Sequence, residues 1–306
     1  MQVAVIDCGT NTFTLSLFEA KVDGTMQRID KDRHFVELAT EYLDQIGPLA
    51  FERALKAFRS FKKFLKRYPN AIVHALGTAA LRRASNSDAL VQAVHDVSGI
   101  EIDIIDGDVE ASLIYRGVRQ AAPLGATPAL IMDIGGGSVE FIIANASQVF
   151  WAKSYPIGLA VLYEGFQKSD PLLPEHQKQL KGFLTETLSD LLAILAEHKL
   201  EHFIGASGSF DMLEQLTGFR QDGAMHSHID IGDFLAVGEQ LVGSSLDQRL
   251  SIPNLKPTRA RFSVMSVLLI LFIQQQPALR HLRHLIVSDH AMREGMVERI
   301  LQGSNP

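Results

Sequence analysis

The sequence predicts an α/β protein of two domains, each a mixed sheet flanked by helices, with a cleft between them. Three observations carry this. The chain has 306 residues, more than one ordinary domain needs and enough for two with cores of their own. Its composition, 46% hydrophobic, 21% charged and 8% aromatic, is that of a globular chain and excludes the disordered and fibrous classes. A strand-turn-strand pattern at the N-terminus also returns near the middle of the chain, where Asp7 falls on Asp133, Gly9 on Gly135 and Thr12 on Ser138.

The elements follow in order. Residues 3–6 and 12–20 are β-rich and broken at Asp7-Cys8-Gly9-Thr10-Asn11, which reads as strand, tight turn, strand. A third strand is expected near 27–38. Over 51–68, Phe51, Leu55, Phe58 and Leu65 recur at helical spacing with lysines and arginines around the other side, an amphipathic helix. Short apolar runs at 71–76 and 101–105 read as strands around a polar helix at 87–98. After Ala121-Ala122-Pro123-Leu124-Gly125, read as a linker, strands are expected at 129–132, 141–144, 148–154 and 284–287. Helices are expected at 175–197, 232–242, from about 258, and at 291–301. The domains are therefore expected at 1–122 and 123–290, with the last helix, about 291–306, packing back on the first.

Charge and cysteine usage narrow the function. A formal net charge of −6 argues against a nucleic-acid binder, so a polyanionic substrate has to be met by local charge or metal. Cys8 is the only cysteine, which excludes a disulfide framework and suits a reducing cytoplasm. The N-terminus enters directly into a strand-like run without a signal-peptide pattern. The longest apolar stretch, 262–273, falls short of the roughly 20 residues of a membrane span and reads as a core helix. The expected setting is cytoplasmic, with no membrane or nucleic-acid partner. The histidines, among them His226, His228, His281 and His284, lack nearby cysteines or a paired helical ligand set and are assigned no metal.

A strand that ends in Asp-x-Gly and turns sharply into another strand has a definite use. Its glycines let backbone N–H groups approach a phosphate, and its carboxylate can hold Mg²⁺. One such turn is an ordinary hairpin. Two, the second with Gly135, Gly136 and Gly137 followed by Ser138 and Glu140, read as a phosphate clamp.

With these motifs in view, the chain resembles the exopolyphosphatase / guanosine pentaphosphate phosphohydrolase (Ppx/GppA) family, whose domains are actin-like, or ribonuclease H-like. The resemblance runs nearly end to end. It rests on Asp7-Cys8-Gly9-Thr10-Asn11-Thr12, on Asp133-Ile134-Gly135-Gly136-Gly137-Ser138-Val139-Glu140, and on Gly77-Thr78-Ala79-Ala80-Leu81-Arg82 with Ala84 and Asn86. Gly107-Asp108-Val109-Glu110-Ala111, Gly205-Ala206-Ser207-Gly208-Ser209 and Arg293-Glu294-Gly295 follow in the family's order.

On the residues alone Glu110 reads either as a helix-start glutamate favourable to the helix dipole or as a general base; the resemblance decides for the base. It implies phosphate contacts from Gly9, Thr10, Asn11, Arg82, Gly135, Gly136, Gly137, Ser138, Gly208 and Ser209. Asp7, Asp133 and Glu140 are the implied oxygen ligands of Mg²⁺ or Mn²⁺. Arg83 reads as a surface charge. The expected reaction removes terminal phosphate from polyphosphate or a guanosine pentaphosphate. Ser112 and Glu37 stand where many relatives carry arginine, which favours short substrates. A small-metabolite kinase and a non-catalytic phosphate-polymer or nucleotide sensor remain alternatives, and a homodimer is compatible with the sequence.

Overall fold

The structure, a computed structural model, describes residues 1–21, 25–221 and 223–303. The last three residues of the expected 291–306 segment therefore lie outside the described residues. The chain forms two compact units, residues 1–117 with 292–306, and residues 118–291.

The first unit is built on a five-stranded sheet of order β3-β2-β1-β4-β5. Strand β1 (Gln2–Cys8) runs antiparallel to β2 (Thr12–Ala20) and parallel to β4 (Ile72–Gly77); β2 pairs with β3 (Met26–Phe35), and β4 with β5 (Ile102–Ile104). The central β1 and β2 are buried almost throughout, as strands covered on both faces must be. Strand β3, MQRIDKDRHF, lies at the edge and carries charges that discourage pairing with another chain.

Helix α1 (Pro48–Leu65) starts with proline in its first turn, where the missing N–H costs nothing. It buries Ala54, Ala57, Phe58, Phe61 and Phe64 on one stripe. Phe58 meets Phe13 of β2 and Phe61 edge-on at ring separations of 5.8 and 5.5 Å. Truncating such a buried ring costs about 3–5 kcal/mol. The segment after β4 is a short helix, α2 (Ala79–Arg83), which hydrophobic periodicity did not indicate. Helix α3 (Ser87–Ser98) ends at Gly99, whose φ of 75° is the left-handed conformation glycine favours. After β5 comes α4 (Gly107–Ala121).

The second unit has a six-stranded sheet of order β10-β11-β9-β6-β7-β8. Strands β6 (Ala129–Ile134), β7 (Val139–Ala144) and β8 (Val149–Tyr155) form an antiparallel meander. Helices α5 (Leu159–Phe166), α6 (Pro174–Thr187) and α7 (Ser189–Glu197) follow, then β9 (Phe203–Ala206), parallel to β6, and α8 (Gly208–Thr217). Edge strand β10 (His226–Asp230) precedes α9 (Ile231–Gly243), α10 (Leu246–Leu250), α11 (Pro257–Ala260) and α12 (Ser263–Gln274). Strand β11 (His284–Ser288) runs parallel to β9 and antiparallel to β10.

The single helix expected at 175–197 is two. They part at Leu188, which is fully buried and leaves helical geometry at φ −100°, ψ 17°. Asp190 then receives Lys153 and the Tyr155 hydroxyl of β8, anchoring α7 separately. The helix expected from about 258 is likewise divided between α11 and α12. Helix α12 is buried on nearly every side, as its apolar run suggested, and no helix of the described residues is long and apolar enough to cross a membrane.

Helix α13 (Met292–Leu301) returns to the first unit and packs on β1 and β2. A methyl group at Gly295 would stand 1.8 Å from the Leu113 carbonyl oxygen of α4, so only glycine allows this approach. Arg116 donates to Glu298 at 2.7 Å, and Arg293 to the Ser16 hydroxyl at 3.0 Å, on either side of the contact.

Candidate active site

In the first unit, the β1–β2 turn closes through Gly9 N–H donating to the Thr12 carbonyl at 3.1 Å. The Thr10 carbonyl accepts from Leu38 N–H at 2.7 Å, and the Asn11 carbonyl from Val36 and Glu37 N–H at 3.0 and 3.1 Å. The loop after β3 thus braces the turn. Glu37 itself adopts φ 50°, and its carbonyl and that of Val36 accept from Arg53. Thr10 is buried and Asn11 half-buried. Asp7 lies near the end of β1 opposite Thr14. Burial raises its carboxyl above the usual range, against the pull of Arg293 and Arg33, and Glu294 pushes in the same direction as burial.

Glu110 stands in the first turn of α4, which Asp106 helps to start by accepting from Val109 N–H at 2.7 Å. It is 8% exposed. Arg82 Nη1 donates to Glu110 Oε2 at 2.6 Å and to the Ile105 carbonyl at 2.9 Å. Arg82, assigned by resemblance to phosphate, therefore has one nitrogen committed to orienting the glutamate. Arg83 differs from its reading as a surface charge: it is half-buried, its Nε donates to the Leu43 carbonyl at 2.5 Å, and its Nη2 is buried without a hydrogen-bond partner. The cause is the loop before α1, which covers α2 and is tied down by Ser85 N–H on the Asp44 carbonyl and by Asn86, paired with the Ile46 backbone.

The second unit repeats the turn. Gly135 N–H donates to the Ser138 carbonyl at 3.0 Å, and an added methyl group at Gly135 would meet that oxygen at 3.0 Å, much as one at Gly9 would meet Thr12 at 3.2 Å. The carbonyls of Gly135, Gly136 and Gly137 accept from Leu159, Ala160 and Gly158 at the start of α5. Gly158 lies so close that a methyl group there would stand 2.4 Å from the Gly136–Gly137 peptide. Ser138 is buried.

Asp133 of β6 and Glu140 of β7 are directly paired across the sheet, which puts both carboxylates on one face. Asp133 accepts from Ser207 Oγ at 2.8 Å and Glu140 from Ser154 Oγ at 2.6 Å. Two hard oxygen donors side by side fit Mg²⁺, which is satisfied by one or two carboxylates with water and substrate phosphate completing its octahedron. Among the described residues no group of three or more His, Cys, Asp or Glu side chains is gathered to hold a metal ion.

Ser207 had no role in the sequence reading. It sits at φ 68°, ψ −175°, a region almost reserved for glycine, where a non-glycine residue costs of order 1–3 kcal/mol. Its carbonyl accepts from Phe210 and Asp211 N–H, which starts α8. Gly208 packs under the guanidinium of Arg259, also missed: a methyl group there would fall 1.9 Å from it. Ser209 is 2% exposed, with its hydroxyl 3.2 Å from Ser266 Oγ in the core. The hydroxyl of Ser209, a residue expected among the phosphate contacts, therefore faces the core. The only signal for Ser207 was the Gly-Ala-Ser-Gly-Ser run, which marks a turn without saying which residue is strained; Arg259 left none.

The sequence profile of the Ppx/GppA phosphatase family matches residues 18–303. An exopolyphosphatase from Cytophaga hutchinsonii superposes with a TM-score of 0.93 at 30% identity, over 100% of this chain and 99% of its own. The Aquifex aeolicus member of the Ppx/GppA family has the same fold, with a TM-score of 0.81 at 23% identity over 100% and 99% of the two chains. With its duplicated Asp-x-Gly turns and matching end-to-end architecture, the chain belongs to the Ppx/GppA phosphatase family.

Proposed function

We propose that the chain hydrolyses phosphoanhydride bonds, releasing terminal orthophosphate from inorganic polyphosphate, short chains favoured, and/or from guanosine pentaphosphate. The observation that carries this reading is Glu110, a buried carboxylate at the mouth of a helix, held in one orientation by Arg82 at 2.6 Å. Glu110 accepts a proton from water as the water oxygen bonds to the terminal phosphorus; the bridging P–O bond breaks and the shortened chain leaves. Backbone N–H groups of the two glycine turns hold phosphate oxygens. In the second turn this fits the carbonyls of Gly135, Gly136 and Gly137 being directed to α5. Arg82 orients the base and contacts phosphate with the rest of its guanidinium fork. Mg²⁺ or Mn²⁺ would be held by Asp133 and Glu140, with Asp7 as a further carboxylate, and would supply neutralisation of the phosphate charge.

The preference for short substrates is supported by positions 37 and 112, which are a glutamate and a serine. Two cations near the end of α1 are engaged elsewhere: Lys62 donates to the Val97 carbonyl at 3.2 Å, and Arg67, just past the helix, is paired with Asp30 at 3.2 Å. The test is phosphate release from polyphosphates of graded length, guanosine pentaphosphate and ATP, each with Mg²⁺ or Mn²⁺. A specificity constant that climbs steeply with chain length into the hundreds of phosphates overturns the short-substrate claim. ADP formation coupled to a phosphorylated metabolite selects a kinase, and tight binding without turnover selects a sensor.

A further inference from the structure

Edge strand β3 sorts its charges by sign. Residues paired on neighbouring strands share a face of the sheet, so Asp30 and Asp32, opposite Leu17 and Leu15, lie on one face, and Arg28, Lys31 and Arg33, opposite Phe18, Ser16 and Thr14, on the other. The first face is covered by α1 and the turn that follows it. There Asp32 accepts from the Ser60 hydroxyl at 2.9 Å, and Asp30 accepts from the Tyr68 hydroxyl at 2.8 Å and pairs with Arg67. The two acids are half-buried, whereas the three bases are all exposed. A strand charged only to deter pairing with another chain has no need of this separation.

A bulge completes the basic row. Leu17 pairs with Asp30 but Phe18 with Arg28, so the register skips Ile29 and brings Arg28 onto the face that regular pairing would have given to an isoleucine. The next residue on this face is Met26, opposite Ala20, where the row of cations ends.

The other end of the row leads to the β1–β2 turn. Phe35, opposite Thr12, carries the Arg33 guanidinium 5.4 Å from its ring centre. Asp7, Thr14 and Arg33 are in register across three strands, which sets the Asp7 and Arg33 backbones two strand spacings, roughly 10 Å, apart. Burial raises the Asp7 carboxyl, and Arg293 and Arg33 draw it down, so both guanidinium groups act at the foot of the turn. Arg293 is held on this face by the Ser16 hydroxyl. Glu294, the acid that acts on Asp7, is buried.

We propose that Arg33, Lys31 and Arg28 bind, in that order, the internal phosphates of a chain whose terminal phosphate is held at the Gly9 turn. The inference rests on the phosphoanhydride hydrolysis proposed above and says where the tail of that substrate lies. Three cations make a short track, so phosphates beyond its end gain nothing from it.

The experiment measures binding of pyrophosphate and of polyphosphates of graded length by calorimetry, on the full chain carrying Glu110→Gln so that the ligand survives. Affinity should climb with length, level off once the row is filled, and fall with added salt. Arg28→Gln/Lys31→Gln in that background should weaken binding of the longer chains by up to about 5-fold for each exposed cation removed, and should leave pyrophosphate binding unchanged. Lys56→Gln/Lys63→Gln removes the same charge from the exposed side of α1 and should alter neither. In the active chain, Arg33→Gln and the Arg28/Lys31 pair should raise KM for the longer polyphosphates and flatten its dependence on length. Equal losses in the α1 control, or β3 variants that bind and hydrolyse long chains as their parents do, overturn this inference alone. A parent that binds no phosphate chain of any length overturns it together with the function on which it rests.

Discussion

Ser207 lets strain and hydrogen bonding be separated in two substitutions. Ser207→Ala keeps the strained backbone and removes the hydroxyl that donates to Asp133 at 2.8 Å. A hydrogen bond to a charged group contributes about 1.5–3 kcal/mol, and that is the expected loss of stability. Ser207→Gly removes the same bond but relieves backbone strain of order 1–3 kcal/mol, less about 0.5–1 kcal/mol for the freedom glycine brings to the unfolded chain. The glycine variant should therefore stand between wild type and the alanine variant, near wild type when the strain is at the upper end. The chain has one tryptophan, Trp151, in β8 of the same unit, so urea unfolding followed by its fluorescence reports on the unit that is changed. If strain is stored at this residue, alanine is the worse substitution; an alanine variant as stable as the glycine variant, or more so, refutes the reasoning.

Four further outcomes are expected. Glu110→Gln should lower turnover by about 10²–10⁴-fold with substrate affinity largely retained, read by steady-state kinetics beside equilibrium binding. Asp133→Asn should move the midpoint of metal activation to higher concentration, since an amide is a poorer Mg²⁺ ligand than a carboxylate; an unchanged midpoint takes the cation away from Asp133. Asp7→Asn should stabilise the chelator-treated protein at neutral pH. The raised carboxyl of Asp7 means that the folded state binds the proton more tightly than the unfolded chain, so its favourable contribution is full below the unfolded pKa of about 3.9 and is lost as pH rises through the folded value. The gain over wild type should therefore vanish in acid unfolding curves. Gly158→Ala should force the Gly136–Gly137 peptide aside, at a cost typical of overpacking, about 1–3 kcal/mol, with loss of phosphate release measured in parallel.

The duplicated turns were legible because their signal is local: Asp, then glycine, then a β-run, twice, and both close by the same backbone hydrogen bond. Helix α1 was legible because one face of a long periodic stretch is apolar. Strand β9 was not, although it is central to its sheet, because Phe203, Ile204, Gly205 and Ala206 are too few and too small to show alternation. Helix α2 is five residues of alanine, leucine and arginine, fixed by the hydrogen bonds of its neighbours and not by an apolar stripe. The partners of the site residues were hidden for a different reason. Ser207 meets Asp133 across 74 positions of sequence, and Arg259 reaches Gly208 from a separate helix, so neither contact leaves a trace in local spacing.

The seating of Gly295 on Leu113 has a consequence for how the molecule is made. The first unit holds residues 1–117, yet its closing helix, α13, is made only after the whole of the second unit. Until residues 292–301 emerge, Arg116 and Ser16 lack Glu298 and Arg293, and β1 and β2 lack the helix that packs on them. Residues 118–291 form a continuous stretch and meet no such delay. Synthesis from one end therefore reverses the order of the units: the one begun second has all of its chain available first, and the one begun first waits half-built, with apolar strand surface in need of protection, until the second has been made.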